Sequence, residues 1–324
     1  LINAAKIKMK EGKTMCKKID VEVVRSQLIA WMADNGKSQA EVSKSMGISA
    51  SALSMFIKGT YTGDNEQISR KAVALMDLVH RQSAVAKTPG FVETSIAEEI
   101  ITVANYAQNH CDIGVVYGDA GIGKTMAITE FAKSNPWAIL ITADVTSTVK
   151  SLLEDALYKL GRVGVTSNKA VAKRQIVREL KGSNTMIIID EAQHLRLPTL
   201  EAVRGIFYDA CNCAVLLCGN ENIYSKMLGK HRAPFAQLFS RVGICRGFSM
   251  PRYQITRDDV KNIFCQDVEL NDQCIDYLHV VANKTGGLRS AIKLFTMTWE
   301  IAIRSGEEIN LEMIHAAENY LIRI

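Results

Sequence analysis

The first part of the chain shows apolar residues at helical spacing. Two short helices are predicted over residues 39–46 and 50–57. A helix before them and a longer one after them carry apolar residues every three or four positions, as on a helix face that packs against a core. These positions are Val24, Leu28, Trp31 and Met32 in the earlier helix, and Ile68, Ala72, Leu75, Met76 and Val79 in the later one. Residues 20–83 are therefore predicted to form a small all-helical domain.

The pattern changes after this helical region. Residues 84–95 contain the turn-forming sequence Thr-Pro-Gly and are predicted to be a linker. Short apolar runs then alternate with helical patterns, which is typical of a parallel sheet with helices on its faces. The predicted strands are residues 113–117, 138–142, 186–190, 214–219 and 244–248. We assign residues 96–251 to this α/β core and residues 252–324, which show only helical periodicity, to a small C-terminal helical domain.

Composition and charge narrow the class of protein. The 324 residues are 48% hydrophobic and 23% charged, as in a soluble globular protein, and the net charge of +5 permits contact with nucleic acid. No apolar run approaches the roughly 18 residues of a membrane span, so no membrane partner is expected. The eight cysteines form no CxxC pair, which argues against a cysteine-bound metal. The lysine-rich residues 1–19 lack the apolar stretch of a secretory signal and are expected to be disordered or a non-native start.

A phosphate-binding loop follows the predicted strand 113–117. The sequence from Gly118 to Thr125 matches the pattern GxxxxGK[ST], in which backbone N–H groups surround the phosphates of a nucleotide. Lys124 would neutralise the β- and γ-phosphates, and the hydroxyl of Thr125 would bind Mg²⁺. The predicted nucleotide-binding residues are Gly118, Asp119, Ala120, Gly121, Ile122, Gly123, Lys124, Thr125 and Met126. The expected cofactors are ATP and Mg²⁺.

Two carboxylates follow the apolar strand 186–190. Asp190 and Glu191 would emerge at the carboxyl edge of a parallel sheet, where open α/β folds bind ligands. Asp190 is predicted to hold the Mg²⁺ ion together with Thr125. Glu191 is predicted to orient and deprotonate the water that attacks the γ-phosphate. With the phosphate-binding loop, this pair predicts a site that hydrolyses ATP.

Further polar residues stand where such a site needs them. Asn220 follows strand 214–219 and is a candidate for aligning the water, although it also suits the first position of a helix. Arg241 is predicted to reach the γ-phosphate of a neighbouring subunit, with a surface ion pair as the alternative. Arg289, after a double glycine, is predicted to sense the phosphates. His194 has no nucleophile nearby in sequence and is interpreted as structural.

This set of residues resembles the AAA+ ATPase family. The motifs that carry the resemblance are the phosphate-binding loop, Asp190–Glu191, Asn220, Arg241 and residues 287–289. The resemblance implies an AAA+ P-loop fold with a parallel sheet, a small C-terminal helical lid and sites that lie between subunits.

Residues 38–60 have the pattern of a helix-turn-helix. Ser38 and Glu41 form a capping box, and Gly47 suits the turn between two helices. Ala40 and Leu53 are expected in the tight core between the helices. The predicted exposed face of the second helix is Ser49, Ser51, Ser54 and Lys58, which suits phosphate contacts better than base reading. The alternative is a module that binds another protein.

The order of these parts resembles the phage Mu-type B transposition protein family. Local matches lie at residues 61–66, 91–94, 188–192, 219–220, 239–241, 288–289 and 309–312. The resemblance implies ATP-dependent helical filaments on double-stranded DNA with little sequence preference. It also implies delivery of that DNA to a DDE-type transposase, stimulated strand transfer, disassembly on hydrolysis and a bacterial host cytoplasm. Basic residues suited to DNA phosphates are Lys150, Lys169, Lys173 and Arg174, with a solvated basic helix face as the alternative.

Two other functions fit the same ATPase motifs. A replicative helicase loader of the AAA+ class would have the same nucleotide site, although the N-terminal helix-turn-helix argues against it. A helix-turn-helix regulator that uses ATP as a switch is the other alternative. The presence of Glu191 argues for hydrolysis rather than for a binding switch.

Overall fold

The computed structural model describes residues 20–84, 89–162, 168–228, 240–249, 253–266 and 268–321. The predicted disordered start, residues 1–19, lies outside these ranges. The chain divides into two compact units, Leu1–Ala86 and Lys87–Ile324. The division falls within the predicted linker, but residues 89–95 belong to the second unit.

The first unit consists of helices around a small apolar core. Its helices are α1 (Val21–Asp34), α2 (Gln39–Met46), α3 (Ala50–Ile57) and α4 (Asn65–Ala84). Leu28 of α1, Leu53 and Phe56 of α3, and Ala72 of α4 are fully buried. The helical spacing read from the sequence is therefore confirmed, because the apolar positions of all four helices meet in one core.

The turn between α2 and α3 is tight. Gly47 ends α2 with φ 62°, a left-handed conformation that glycine adopts without strain. The capping box is confirmed: the Ser38 backbone N–H donates to Glu41 Oε2 at 2.9 Å, and the Glu41 N–H donates to Ser38 Oγ at 3.3 Å. The expectation for Ala40 is wrong. Ala40 lies in the first turn of α2 and is exposed, and Val42 and Met46 take the inner positions.

The second unit contains a five-stranded parallel sheet. Its strands are β1 (Ile113–Gly118), β2 (Ala138–Thr142), β3 (Met186–Asp190), β4 (Ala214–Gly219) and β5 (Val242–Phe248). They lie in the order β2-β3-β4-β1-β5, and every neighbouring pair is parallel. The predicted strands are confirmed, with β1 one residue longer and β5 beginning two residues earlier. The parallel arrangement brings the carboxyl ends of all five strands to one edge.

Burial explains the sequence pattern of the strands. Every residue of β3 and β4 is buried, because these central strands are covered on both faces, and both read as continuous apolar runs. The helices of this part are α5 (Ser95–His110), α6 (Lys124–Ser134), α7 (Val149–Lys159), α8 (Lys169–Leu180), α9 (Leu197–Val203) and α10 (Glu221–Leu228). At the edge, β5 exposes Cys245 and Arg246, so its apolar signal is weaker and its start was missed.

The C-terminal part is helical, as predicted. It contains α11 (Arg257–Phe264), α12 (Asp272–Ala282), α13 (Gly287–Ser305) and α14 (Leu311–Glu318). Phe264 packs against Phe295 with ring centroids 5.0 Å apart, which joins α11 to α13. Among the residues that the structure describes, no helix is long and apolar enough to cross a membrane.

Asp259 joins the C-terminal helices to the start of the α/β core. Its buried carboxylate accepts hydrogen bonds from Ser95 N at 2.9 Å, Ser95 Oγ at 2.8 Å and Thr256 N at 3.0 Å. Burial opposes the charged form, but the hydrogen bonds from Ser95 and Thr256 outweigh it, and the pKa of Asp259 lies below its usual value. This carboxylate therefore fastens the first turn of α11 to the first turn of α5.

We expect Asp259→Asn to lower the free energy of unfolding at neutral pH by about 1–3 kcal/mol, because an amide cannot accept this set of donors. The folded-state pKa is depressed, so the stabilisation is present at neutral pH and is lost as the pH falls through that pKa. Urea denaturation should therefore show a difference in the free energy of unfolding between wild type and variant. This difference should begin to shrink below about pH 4 and disappear at lower pH. Asp258→Asn, at the exposed neighbouring position, is the control and should leave stability unchanged. Equal stability of the Asp259 variant at pH 7 would contradict the assignment.

Candidate nucleotide site

The phosphate-binding loop connects β1 to α6 at the carboxyl edge of the sheet. Gly118 pairs with Phe248 of β5, and a side chain at position 118 would collide with the Phe248 backbone. Gly121 and Gly123 have φ 85° and 99°, which side chains rarely allow. Gly123 precedes α6 and leaves the first N–H groups of the helix uncapped by a side chain. These N–H groups can receive phosphate oxygens, so the loop fits the predicted ligand.

The loop touches the start of α13. A Cβ atom at position 121 would collide with the Gly286 carbonyl and lie 3.2 Å from Cβ of Arg289. A Cβ atom at Gly287 would lie 3.0 Å from the Gly121 backbone. The backbone of the phosphate-binding loop therefore packs directly against the double glycine, which explains why small residues occur at both places.

The side chain of Lys124 lies along the phosphate-binding loop. Its Nζ donates to the carbonyl oxygens of Gly118 at 2.9 Å and Asp119 at 2.7 Å. Burial lowers the pKa of Lys124, while nearby groups that include Glu191 and Asp190 oppose this effect. A nucleotide's phosphates would replace these carbonyl acceptors with charged ones.

Thr125 and Asp190 meet where the predicted Mg²⁺ ion requires them. Thr125 Oγ1 donates to Asp190 Oδ2 at 2.8 Å, and Asp190 is 3% exposed. The Cys218 thiol of β4 also contacts Asp190, and burial raises the pKa of Cys218 well above its usual value. A hydroxyl and a carboxylate at this spacing are oxygen ligands of the kind that Mg²⁺ prefers. The two predicted metal ligands are thus brought together from residues that are distant in sequence.

Glu191 and Asn220 lie beside this pair and are linked by one side chain. Gln193 Nε2 donates to Glu191 Oε2 in a short hydrogen bond, and Gln193 Oε1 accepts from the Asn220 backbone N–H at 3.2 Å. Glu191 has a left-handed backbone with φ 54°, an uncommon conformation for a residue with a side chain. Gln193 was not among the site residues predicted from the sequence. Asn220 also caps α10, because its Oδ1 accepts from Asn222 N at 2.9 Å.

Arg241 lies at the opposite edge of the sheet. It comes directly before β5, whose first residue pairs with Ile113 at the start of β1. Its charge acts on Tyr208, whose pKa is raised chiefly by burial and then by Asp112, with Arg241 opposing. The side chain is exposed and does not line the nucleotide cavity of its own subunit. This position excludes direct action on that site and leaves the predicted role toward a neighbouring subunit open.

A cavity of about 730 Å³ extends from the phosphate-binding loop toward the C-terminal helices. Arg289, Lys124, Thr125, Asp190, Glu191 and Asn220 all line it. The structure therefore gathers the predicted catalytic and metal-binding residues of this subunit, except Arg241, around one cavity, together with six of the nine predicted nucleotide-binding residues. The other three, Gly118, Asp119 and Ile122, do not line it. Arg289 is exposed and stands three residues after Gly286, which precedes α13.

The apolar wall of this cavity was not predicted. Residues from three separate segments form it: Phe91, Val92 and Ala97 near the start of α5, Ile263 on α11, and Leu288 and Ile292 on α13. Such a wall can receive the flat face of a nucleotide base. Residues 91 and 92 stand in the predicted linker, where their apolar character and the family resemblance of residues 91–94 were the available signals. They form part of the cavity rather than a simple connection.

The residues predicted to contact DNA lie on several surfaces. Lys169, Lys173 and Arg174 are exposed on α8 and make no ion pair with the residues that the structure describes. Lys150 lies 3.5 Å from Glu154 Oε1 on α7. The positive charge of α8 is therefore available to a polyanion, whereas that of Lys150 is partly matched.

The predicted DNA-contact residues of the first unit are only partly available. Ser49 caps α3: its Oγ accepts a hydrogen bond from Ala52 N at 3.2 Å. The same Oγ lies 3.1 Å from Ser51 Oγ. Ser51 and Lys58 are exposed, but Ser54 is half-buried, and the apolar Met55 is exposed beside it. The open face of α3 is therefore less polar than predicted from the sequence.

Comparisons with known proteins agree with this geometry. A family model described as an AAA domain matches residues 107–227. The ATP-dependent target DNA activator B of Escherichia phage Mu is 30% identical over 305 residues, which cover 92% of this chain and 95% of that protein. The Mu-like prophage FluMu DNA transposition protein B of Haemophilus influenzae is 28% identical over 281 residues, covering 86% and 94%. The Aeropyrum pernix ORC1 protein in complex with DNA superposes with a TM-score of 0.53 at 16% identity, over 71% of this chain and 66% of that one.

The parallel sheet, the phosphate-binding loop and the adjoining carboxylates define an ATPase domain of the AAA class. Similarity along nearly the whole length then identifies the family. The chain belongs to the family of the phage Mu ATP-dependent target DNA activator B.

Proposed function

We propose that this chain is an ATP-dependent DNA-binding protein that selects target DNA, delivers it to a DDE-type transposase and stimulates strand transfer. In this proposal the ATP-bound subunits form a helical filament on double-stranded DNA with little sequence preference. Hydrolysis of ATP then drives disassembly. The observation that carries the proposal is the assembled Thr125–Asp190–Glu191 site in a chain whose relative is named for ATP-dependent activation of target DNA.

The residues of the site have separate roles in the proposed reaction. The loop N–H groups and Lys124 bind the β- and γ-phosphates, and Thr125 with Asp190 would hold Mg²⁺, which supplies charge neutralisation when bound. Glu191 accepts a proton from the attacking water, and Asn220 holds that water in line. Arg289 contacts the phosphates from the lid, and Arg241 of a neighbouring subunit completes the site. Because the neighbour supplies one group, turnover depends on assembly.

The charge on α8 supports a role in holding DNA. Lys169 and Lys173 are one helical turn apart and Arg174 follows, so their side chains form one basic surface. Contacts of this type bind phosphates irrespective of base sequence and weaken as salt rises. The exposed residues Ser51, in α3, and Lys58, directly after it, would add phosphate contacts of the same kind.

The central test is Lys124→Ala. We expect wild-type protein to assemble on duplex DNA only with ATP and Mg²⁺, with affinity falling steeply as salt rises, whereas Lys124→Ala loses ATP binding and assembly together. The loss follows because Lys124 is the cation of the phosphate-binding loop that neutralises the β- and γ-phosphates. Electron microscopy and fluorescence anisotropy of labelled duplex at several salt concentrations measure both properties.

The matched control for this test is Lys133→Ala. Lys133 lies on the same helix, is exposed and pairs with Glu130 at 3.1 Å, so this variant should assemble normally. ATP-independent binding to one sequence without filaments would contradict the proposal and favour a helix-turn-helix regulator. Wild-type protein that stays monomeric at saturating ATP and DNA would also contradict it.

A further inference from the structure

Gln193 forms hydrogen bonds to both Glu191 and Asn220, the two residues proposed to act on the attacking water. It lies in the helical turn Ala192–His194, immediately after β3. Its amide nitrogen donates to the Glu191 carboxylate, and its amide oxygen accepts from the Asn220 backbone N–H at 3.2 Å. One side chain thus connects the end of β3 with the end of β4, and it also lines the nucleotide cavity.

The end of β4 is shaped to receive this amide. A Cβ atom at Gly219 would collide with Gln193 Oε1 and would lie 3.3 Å from Gln193 N. Gly219 has an ordinary strand conformation, so its backbone does not require glycine. The steric requirement comes from the neighbouring amide, which needs that space to reach Asn220 N.

Glu191 needs such support because of its backbone. With φ 54° and ψ 33°, its main chain turns away from the strand and presents the carboxylate to the cavity from a bend. A half-buried glutamate at a bend has several rotamers available, and each places the carboxylate differently relative to the water. Because the Gln193 amide is held by hydrogen bonds to both Glu191 and Asn220, it selects one rotamer of the Glu191 side chain.

We propose that Gln193 is a positioning residue for ATP hydrolysis, which orients the Glu191 carboxylate through its N–H donor and ties that orientation to Asn220. The inference rests on the proposed ATPase function and adds a residue to it. Gln193 is not assigned any contact with the nucleotide. Its loss therefore lowers the rate of the chemical step and leaves binding of ATP unchanged.

Three substitutions separate the two hydrogen bonds from simple packing. Gln193→Glu keeps the shape and the acceptor for Asn220 N but replaces the donor that faces Glu191 with an oxygen. Gln193→Met keeps the length and removes both hydrogen bonds. His194→Gln, at the exposed next position, is the control that should behave like wild type.

Steady-state kinetics under assembly conditions is the measurement, with thermal unfolding to verify folding of each variant. We expect kcat to fall about 10- to 100-fold in Gln193→Glu and Gln193→Met, with KM for ATP within about twofold of wild type, because misplacing a catalytic group by a fraction of its reach costs this much. A Gln193→Asn variant, too short to span both partners, should not restore the rate.

The outcomes separate this inference from the proposed function. Folded Gln193→Glu and Gln193→Met with wild-type kcat would overturn the positioning role while leaving the ATPase intact. A rise in KM at constant kcat would also overturn it, since Gln193 would then act in binding. Wild-type protein without ATP turnover in the presence of duplex DNA would instead contradict the proposed function itself.

Discussion

Glu191→Gln is expected to lower ATP turnover by about three orders of magnitude while ATP binding persists, since general-base catalysis contributes on this scale. The amide keeps the size of the carboxylate but cannot accept a proton from water. The predicted metal ligands are untouched, because Thr125 and Asp190 bind each other independently of Glu191. The protein should therefore accumulate in its ATP-bound state.

The same variant should stay on DNA. If hydrolysis drives disassembly, a subunit that binds ATP without cleaving it has no route to release. Filter binding of radiolabelled ATP measures occupancy, single-turnover phosphate release measures the chemical step, and a chase with unlabelled duplex measures release of DNA. A DNA-bound lifetime no longer than that of wild type would contradict the link between hydrolysis and disassembly.

Glu130→Gln is the matched control for this variant. Glu130 lies on the outer side of α6 and pairs with Lys133 at 3.1 Å. The substitution therefore changes the net charge by the same amount as Glu191→Gln, but away from the cavity. Its turnover should equal that of wild type. If Glu191→Gln retained a rate within tenfold of wild type, another group would have to activate the water.

Arg241→Ala is expected to lower assembled turnover by about 10³-fold or more, the contribution of an arginine that reaches a γ-phosphate from a neighbouring subunit. ATP affinity of dilute subunits should not change, because Arg241 precedes the first residue of β5 and the phosphate-binding loop follows the last residue of β1. The seven residues of β5 separate the two edges by about 20 Å along the strand. No rotamer of Arg241 spans that distance within one subunit.

Mixing two inactive variants tests whether Arg241 acts on the nucleotide site of a neighbouring subunit. Glu191→Gln lacks the residue that activates the water but binds ATP, assembles and keeps an intact Arg241, and Arg241→Ala has the reverse defect. In mixed assemblies, an Arg241→Ala subunit beside a Glu191→Gln subunit has a complete site, so part of the turnover should return. Phosphate release from equimolar mixtures measures it.

Two results would count against this arrangement. Mixtures as inactive as the separate variants, while still assembling, would show that Arg241 does not act on a neighbour's site. An Arg304→Ala variant that lost turnover to the same extent would show that the effect arises from net charge, because Arg304 is an exposed residue at the end of α13.

The sequence predicted those features that depend on local pattern or on uniform burial. The strands 186–190 and 214–219 were predicted to the residue, since central strands covered on both faces must be apolar throughout. The edge strand 138–142 was predicted equally well from its short apolar run, although it is only partly buried. The phosphate-binding loop was predicted because its glycines are required by backbone geometry. The capping box at Ser38 was predicted because its partners are three residues apart.

Features that depend on contacts between distant segments were missed. The apolar wall combines residues near Phe91 with Ile263 and Ile292, and nothing local marks them as neighbours. Gln193 looks like any polar residue after a strand until Asn220 is placed beside it. Ala40 was misplaced for a related reason, because the helix phase near a cap cannot be fixed without knowing where the core lies.

Because the backbones of Gly121 and Gly287 are in direct contact, a displacement of the phosphate-binding loop would tilt α13 about its first residue. The two glycines meet through their backbones, so a rotamer change at this contact cannot absorb a displacement of the loop. The helix has 19 residues and is about 28 Å long at 1.5 Å per residue. A tilt of about 5° at Gly287 would thus move the far end, at Ser305, by about 2.5 Å over this length. A movement too small to matter at the phosphates becomes large enough at the far end to alter the fit of a neighbouring molecule.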